Sequence, residues 1–198
     1  MATDIKKILE NLFQFYDFTD QTVISVGAGG GQFIEYGHTS KQVIAIDNDK
    51  EALNRLENNL RQSHLSDKFT LVHSDFYLVQ EKGDVVMFEF CLHEMKNPET
   101  AINHALNMAP AVLITDHWPD SEWAYIVDEK EKVTNSWEAV KQFNLKKIQL
   151  YNTFQFFHDY EELFQKVKIQ GDTSINRISQ FKDKNNITIA MSYGFALI

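Results

Sequence analysis

Gly27, Gly29, Gly30 and Gly31 follow directly on the apolar run Val23 to Val26, and sixteen residues after Gly31 a second apolar run, Val43 to Ile46, ends on Asp47. Glycine adopts positive φ freely and lets the backbone come close to a ligand, while a carboxylate closing the next strand is within reach of a ribose hydroxyl. The combination describes a nucleotide site. The dinucleotide fingerprint Gly-x-Gly-x-x-Gly is not met, since Gln32 stands where its last glycine belongs, and the spacing present is Gly-x-Gly-x-Gly over Gly27, Gly29 and Gly31. No Gly-Lys-Ser or Gly-Lys-Thr occurs anywhere, which removes a Walker-type phosphate loop.

A second set of ionisable residues, Glu89, His93, Glu94 and His117, sits where later apolar runs end. Glu89 lies between Phe88 and Phe90, and a carboxylate there is costly to bury without a partner; its plain alternative is a surface group. His93 suits capping or packing of its loop as well as catalysis. In "TDHWPD", His117 and Trp118 can line a pocket, and an imidazole titrates near neutrality, as a proton carrier should; the alternative is a loop histidine beside a packed tryptophan. His93, Glu94 and His117 are also metal-ligand types, but neighbouring side chains on a helix do not face one another, so no metal is expected. The single cysteine, Cys91, excludes an internal disulfide and a Cys-rich zinc site.

These residues need a scaffold, and the hydrophobic periodicity supplies one. Ile5, Ile8, Leu9, Leu12 and Phe13 recur at helical spacing over the first fifteen or so residues. Short strands follow at 23–26, 43–46, 69–73, 83–90 and 111–116, alternating with a helix or turn at 32–36 and helices at 50–62 and 99–108. That alternation predicts a Rossmann-like, doubly wound α/β fold with a mostly parallel sheet. Residues 121–143 read as one long helical stretch, within an inserted cap at 118–157, and Asp159 with Glu162 three residues on reads as a capping-box start to a helix ending at Val167. Two apolar runs, 169–181 and 187–198, flank "KDKNN" and predict a closing antiparallel hairpin, for seven strands in all. The 198 residues suit one domain. A net charge of −9, with three arginines among 19 basic residues, argues against nucleic acid as a partner. The N-terminal region lacks a signal-peptide core, no run approaches a membrane span, and a cytoplasmic protein is expected, its oligomeric state unassigned.

At the pairing of the glycine loop with Asp47, the chain from about Val23 to Val167 resembles the class I S-adenosylmethionine-dependent methyltransferases. "VGAGGG" resembles that family's first motif, "VIAIDND" its ribose-binding second, and "LVHSDF" its third. "DVVMFEFCLHEMKNP" is similar to the small-molecule branch through Asp84, Leu92, His93, Asn97 and Pro98. The resemblance implies S-adenosylmethionine as cofactor, held by Gly27, Gly29, Gly31, Asp47, Asn48, Ser74, Asp75, Phe76 and Phe90. Asp75 would accept from the adenine amino group and Phe76 would pack on the ring. Glu89 would face the methionine end, binding its amino group or orienting an acceptor amine. His117, Glu89 and His93 are the catalytic candidates for methyl transfer to a small-molecule acceptor. Two departures stand out: Ser25 occupies the place of an acidic residue two before the first glycine, and "MAPAVLITD" lacks the usual Gly-Gly. Two other readings remain open. A nicotinamide oxidoreductase would share the loop and Asp47 but needs the third glycine spacing and a Tyr-x-x-x-Lys pair, both missing, and a non-catalytic cofactor-binding protein would share the fold.

Overall fold

The computed structural model describes residues 5–198. The first four residues of the expected N-terminal helix lie outside the described residues; the rest forms α1, Ile5–Phe15. Then come β1 (Thr22–Val26), β2 (Gln42–Asp47), α2 (Lys50–Gln62), β3 (Phe69–His73), β4 (Val85–Glu89), α3 (Pro98–Met108) and β5 (Ala111–His117). The remainder is α4 (Glu122–Ile126), α5 (Lys130–Val140), β6 (Lys147–Asp159), α6 (Tyr160–Val167), α7 (Asp172–Ile178) and β7 (Asn185–Leu197).

Seven strands form one sheet in the order β3-β2-β1-β4-β5-β7-β6, parallel except for β7, which runs antiparallel to both of its neighbours. Because the chain leaves β1 toward β2 and β3 and returns on the other side as β4 and β5, the order reverses between β1 and β4. Ligands in open α/β sheets bind at such a switch point, off the carboxyl ends of the strands. Helices cover both faces. Ile8, Leu12 and Phe15 of α1 pack with Tyr193 and Phe195 on one, and α3 and α5 contribute Ile102, Ala105, Val133 and Trp137 to the other. Buried on both sides, β4 is wholly apolar until it ends on Glu89. Local chemistry fixes the helix starts: Asp49 accepts from the Glu51 amide at 2.8 Å, and Asn97, ahead of Pro98, accepts from the Thr100 amide at 2.9 Å.

Three elements differ from the sequence expectation. The stretch 121–143 is two helices rather than one, broken where Asp128 turns left-handed (φ 62°). The hairpin partner of β7 is β6, not residues 169–181. The latter form α7 with short 3₁₀ turns on either side, burying Ser174 and Ile178 at helical spacing and leaving Ile169 exposed. Their apolar content had suggested a strand, yet it is β6 that shows the period of two, with Gln155 and Phe157 inward and Phe154 outward. Thus, of the expected insert at 118–157, only α4 and α5 lie beside the sheet, and 147–157 is part of its edge strand. The capping box at Asp159 is present, with Asp159 accepting from the Glu162 amide and Glu162 accepting from His158 rather than from Asp159 itself. Among the described residues no helix is long and apolar enough to cross a membrane.

Candidate active site

The glycine loop folds back across the end of β1, and Asp47 holds it there: the Gly29 amide donates to Asp47 Oδ2 at 2.8 Å and the Asp49 amide to Oδ1 at 2.8 Å. Each carboxylate oxygen keeps a lone pair for a further donor. Gly29 is left-handed (φ 53°), and a Cβ there would meet only the Gly27 carbonyl oxygen, at 3.7 Å, so the space in front of it is open. Gly31 serves packing instead, because a Cβ would lie 2.6 Å from Leu56 Cδ1 of α2.

Two cavities run along the strand ends. One, of about 400 Å³, is lined by Asp47, Asn48, Ser74, Asp75, Phe76 and Cys91. The other, of about 230 Å³, is lined by Gly29, Gln32, Phe33, His117, Trp123 and Met191, with Ile5 and Ile8 of α1 above. Gly27, Glu89 and Phe90 belong to both walls. The structure therefore brings together every residue expected at the cofactor except Gly31, which stands behind the loop. Asp75 spends one oxygen on the Tyr77 amide (3.0 Å), and Phe76 is nearly buried, edge-on to Phe88 and His104, so only part of its ring faces the cleft.

Glu89 is buried at the junction. Its Oε1 accepts from Ser25 Oγ at 2.5 Å and from Tyr36 Oη at 2.7 Å. Burial raises its carboxyl to about 7 against the opposing pull of these two donors, with Asp47 adding a little in the same direction as burial. The departure at Ser25 thus has a structural reason: the residue in β1 gives up its acid and donates to the acid supplied by β4. Tyr36 was not anticipated, and a buried tyrosine within "FIEYGH" carried no local signal. Phe90 follows with φ 51°, a conformation costing a bulky residue about 1–2 kcal/mol. Its ring stacks on Phe33 (5.8 Å between centres) and lies 5.0 Å from the His117 ring. Such strain tends to be retained where a site needs it.

His93 and His117 part company. His93 is held by Asp116, whose Oδ1 is 2.6 Å from Nδ1, and Nε2 faces Glu94 at 3.4 Å and Glu129 at 3.5 Å. Burial alone would push the imidazole down, but Asp116, Glu129 and Glu94 overcome it and raise it to about 11. Glu94, facing His93 and Lys132, is lowered to about 2. The expectation that His93 and Glu94 cannot face each other fails because residues 92–94 form a tight 3₁₀ turn, not an α-helix, and the glutamate folds back. His93 does not line the cavity with the glycine loop, whereas His117 does. Burial depresses the His117 pKa, leaving a neutral imidazole whose Nδ1 has no hydrogen-bond partner among the described residues. Glu129 and Tyr36 come from segments with no spacing rule linking them to the strand ends, and Asp116, though it lies at the end of β5, meets His93 only in the folded chain.

Residues 24–109 match the family model described as a methyltransferase domain. Those residues, under half of the chain, are similar to a methyltransferase domain, and the seven-stranded sheet has the strand order of a Rossmann-like methyltransferase fold. The match supports an enzyme that uses S-adenosylmethionine as its cofactor. No curated protein matches this sequence. Among solved structures it is similar to the YcgJ protein of Bacillus subtilis (12% identity, 97% of each chain, TM-score 0.73). It is also similar to a SAM-dependent methyltransferase from Aquifex aeolicus (16% identity, 100% of this chain and 90% of that one, TM-score 0.60). A third likeness is to PH1948 of Pyrococcus horikoshii, described as a candidate RNA methyltransferase (16% identity, 98% and 81%, TM-score 0.59). At such identities these likenesses concern the fold.

Proposed function

We propose that the protein transfers the methyl group of S-adenosylmethionine to a small-molecule acceptor, acting as one domain over its whole length in the cytoplasm. The observation that carries this reading is the meeting of two cavities at Gly27, Glu89 and Phe90, one walled by nucleoside-binding residue types and the other by aromatic and aliphatic side chains. The cofactor supplies a methyl group on a sulfonium, a built-in leaving group. The chain's task is alignment, which can contribute about 7–11 kcal/mol. Asp47 would take the ribose diol on its free lone pairs, Asp75 the adenine amino group, and Asn48, Ser74 and Phe76 the remaining edge of the nucleoside. Glu89 would meet the ammonium of the methionine end.

On the other side of Phe90, His117 is placed to receive an acceptor proton. A buried base beside the cavity adds about 100- to 10,000-fold when the acceptor is protonated. His93, clamped by Asp116, positions the loop and does not reach the acceptor. The modest size of the acceptor cavity and the net charge of −9 favour a small molecule over nucleic acid. Incubation with the cofactor and fractionated metabolites should give a product heavier by one methyl group, and His117→Ala should slow turnover by roughly 100-fold with cofactor affinity unchanged. If calorimetry shows no S-adenosylmethionine binding, or if methyl transfer goes only to RNA, the reading is wrong.

A further inference from the structure

Past His117 the wall continues into a third cavity, of about 220 Å³, lined by His93, Glu94 and Glu129, with Lys166 at its side. Methyl transfer as described makes no use of it. One donor atom from each of His93, Glu94 and Glu129 lies within 4.8 Å of the other two. The distances of 3.4 and 3.5 Å from His93 Nε2 to the two carboxylates are long beside the ~2.9–3.0 Å of an ordinary N–H···O bond. They match instead the edge of a coordination tetrahedron, in which donors ~2.1 Å from a central ion stand about 3.4 Å apart.

The surroundings agree with this. Asp116, fully buried, sits 2.6 Å from His93 Nδ1 and is itself fixed by the amides of His93 and His117. With one proton kept on Nδ1 by Asp116, an ion that displaces the proton on Nε2 would find that nitrogen's lone pair pointing between the two glutamates, as a carboxylate behind a metal-bound histidine orients it. Independently, His117, about nine-tenths buried, presents a ring on the same cavity wall, 5.9 Å from the His93 ring, and its Nδ1 has no hydrogen-bond partner among the described residues. The site is also rich in negative charge: Glu94, Glu129 and Asp116 stand against Lys132, 3.0 Å from Glu94, with Lys166 on the wall, and a divalent ion would take the place of the proton that His93 otherwise holds.

We propose that His93, Glu94 and Glu129 bind a first-row divalent cation, with Asp116 as the positioning residue behind His93 and His117 beside the ion. One imidazole and two carboxylates suit Mn²⁺, Fe²⁺ or Zn²⁺ better than Ca²⁺, which prefers oxygen throughout, or Cu⁺, which prefers sulfur. The inference does not depend on the methyl-transfer reading, because binding is measured without cofactor or acceptor. Metal-stripped protein titrated with Mn²⁺, followed by the loss of the free-ion electron paramagnetic resonance signal, should take up one ion per chain, and Zn²⁺ should displace it. Glu129→Gln should weaken uptake at least tenfold, and Asp116→Asn by about 10- to 100-fold. Should Asp116→Asn fail to fold, Glu94→Gln, whose side chain is half exposed, carries the test with a loss of at least tenfold. If the wild type takes up neither ion, or if Glu94→Gln and Glu129→Gln bind as tightly as it does, the cluster is an ion-pair knot and the proposal falls.

Discussion

The two halves of the cleft are built in different ways. On the β1–β3 side the wall comes from strand ends and the residue or two after them: Gly27 and Gly29 after β1, Asp47 and Asn48 at β2, Ser74 and Asp75 after β3. On the β5–β7 side the wall is drawn from α1, α4, α6, β6 and β7, and its polar groups meet only in the folded chain. A cofactor common to many enzymes can be held by backbone and by short fixed spacings, whereas an acceptor particular to one enzyme is met by side chains collected from afar. Glu89 and Phe90, at the end of β4, stand on the boundary between the two.

The largest effect expected on the backbone-built side is from Gly29→Val. The left-handed residue faces open space, so a valine there would project into the cofactor's path. Its strain should cost about 1–2 kcal/mol of stability, while S-adenosylmethionine binding should be lost. Normal binding by the folded variant in calorimetry would move the cofactor out of this half.

The boundary responds to pH. Glu89 has its carboxyl raised from 4.5 to about 7, mainly by burial, so the folded state holds this proton more tightly than the unfolded chain. Its contribution to stability is therefore complete below about pH 4.5 and declines as pH rises through 7, by about 3 kcal/mol. Glu89→Gln, which cannot ionise, should flatten that decline in urea unfolding of the cofactor-free protein, and should weaken cofactor binding above pH 7, where the wild-type carboxylate is charged. An unchanged pH dependence of stability would mean that Glu89 is solvated rather than enclosed.

Asp47→Asn should cost cofactor binding about 1–3 kcal/mol, the range for a hydrogen bond to a charged group. The asparagine keeps one carbonyl oxygen for the Gly29 amide but sets its NH2 against the Asp49 amide, so the loop should survive with only a modest fall in melting temperature. A melting temperature that falls while affinity holds would make Asp47 a loop fastener alone.

The same contrast explains what could be read in advance. Strands β1 to β5, the glycine loop and Asp47 announce themselves through runs of four to seven residues whose meaning is local. The edge of the sheet does not. β6 carries Lys147, Gln149, Asn152 and Gln155 between its apolar residues, so its alternation is weak, while 169–181 is apolar enough to imitate a strand though its buried Ser174 and Ile178 follow a helical period. At the site, Glu89 was legible as a carboxylate among phenylalanines. Its partners were not, because Tyr36 lies 53 residues away and its approach depends on how the segment after the glycines packs. Asp116 and Glu129 are hidden in the same way: each reads as an ordinary acid until the fold sets it against His93.

The smallest effect tests whether the boundary is shared by both halves. Ser25 belongs to β1, on the cofactor side, yet its hydroxyl donates to the carboxylate that closes β4. This bond favours the ionised form of Glu89, so removing it in Ser25→Ala should raise the carboxyl beyond about 7 and make its ionisation still less favourable. Below pH 6 the proton is on Glu89 in wild type and variant alike, and the two should differ by little more than one neutral hydrogen bond. Above pH 8 the wild type holds a carboxylate supported by two donors and the variant one supported by Tyr36 alone. The loss of stability should then be larger by about 1 kcal/mol than at acid pH. In a Glu89→Gln background this extra loss should vanish, since no charge remains for the serine to stabilise. Equal losses at both pH values would show that Ser25 fills space in β1 and that the two halves meet without acting on each other.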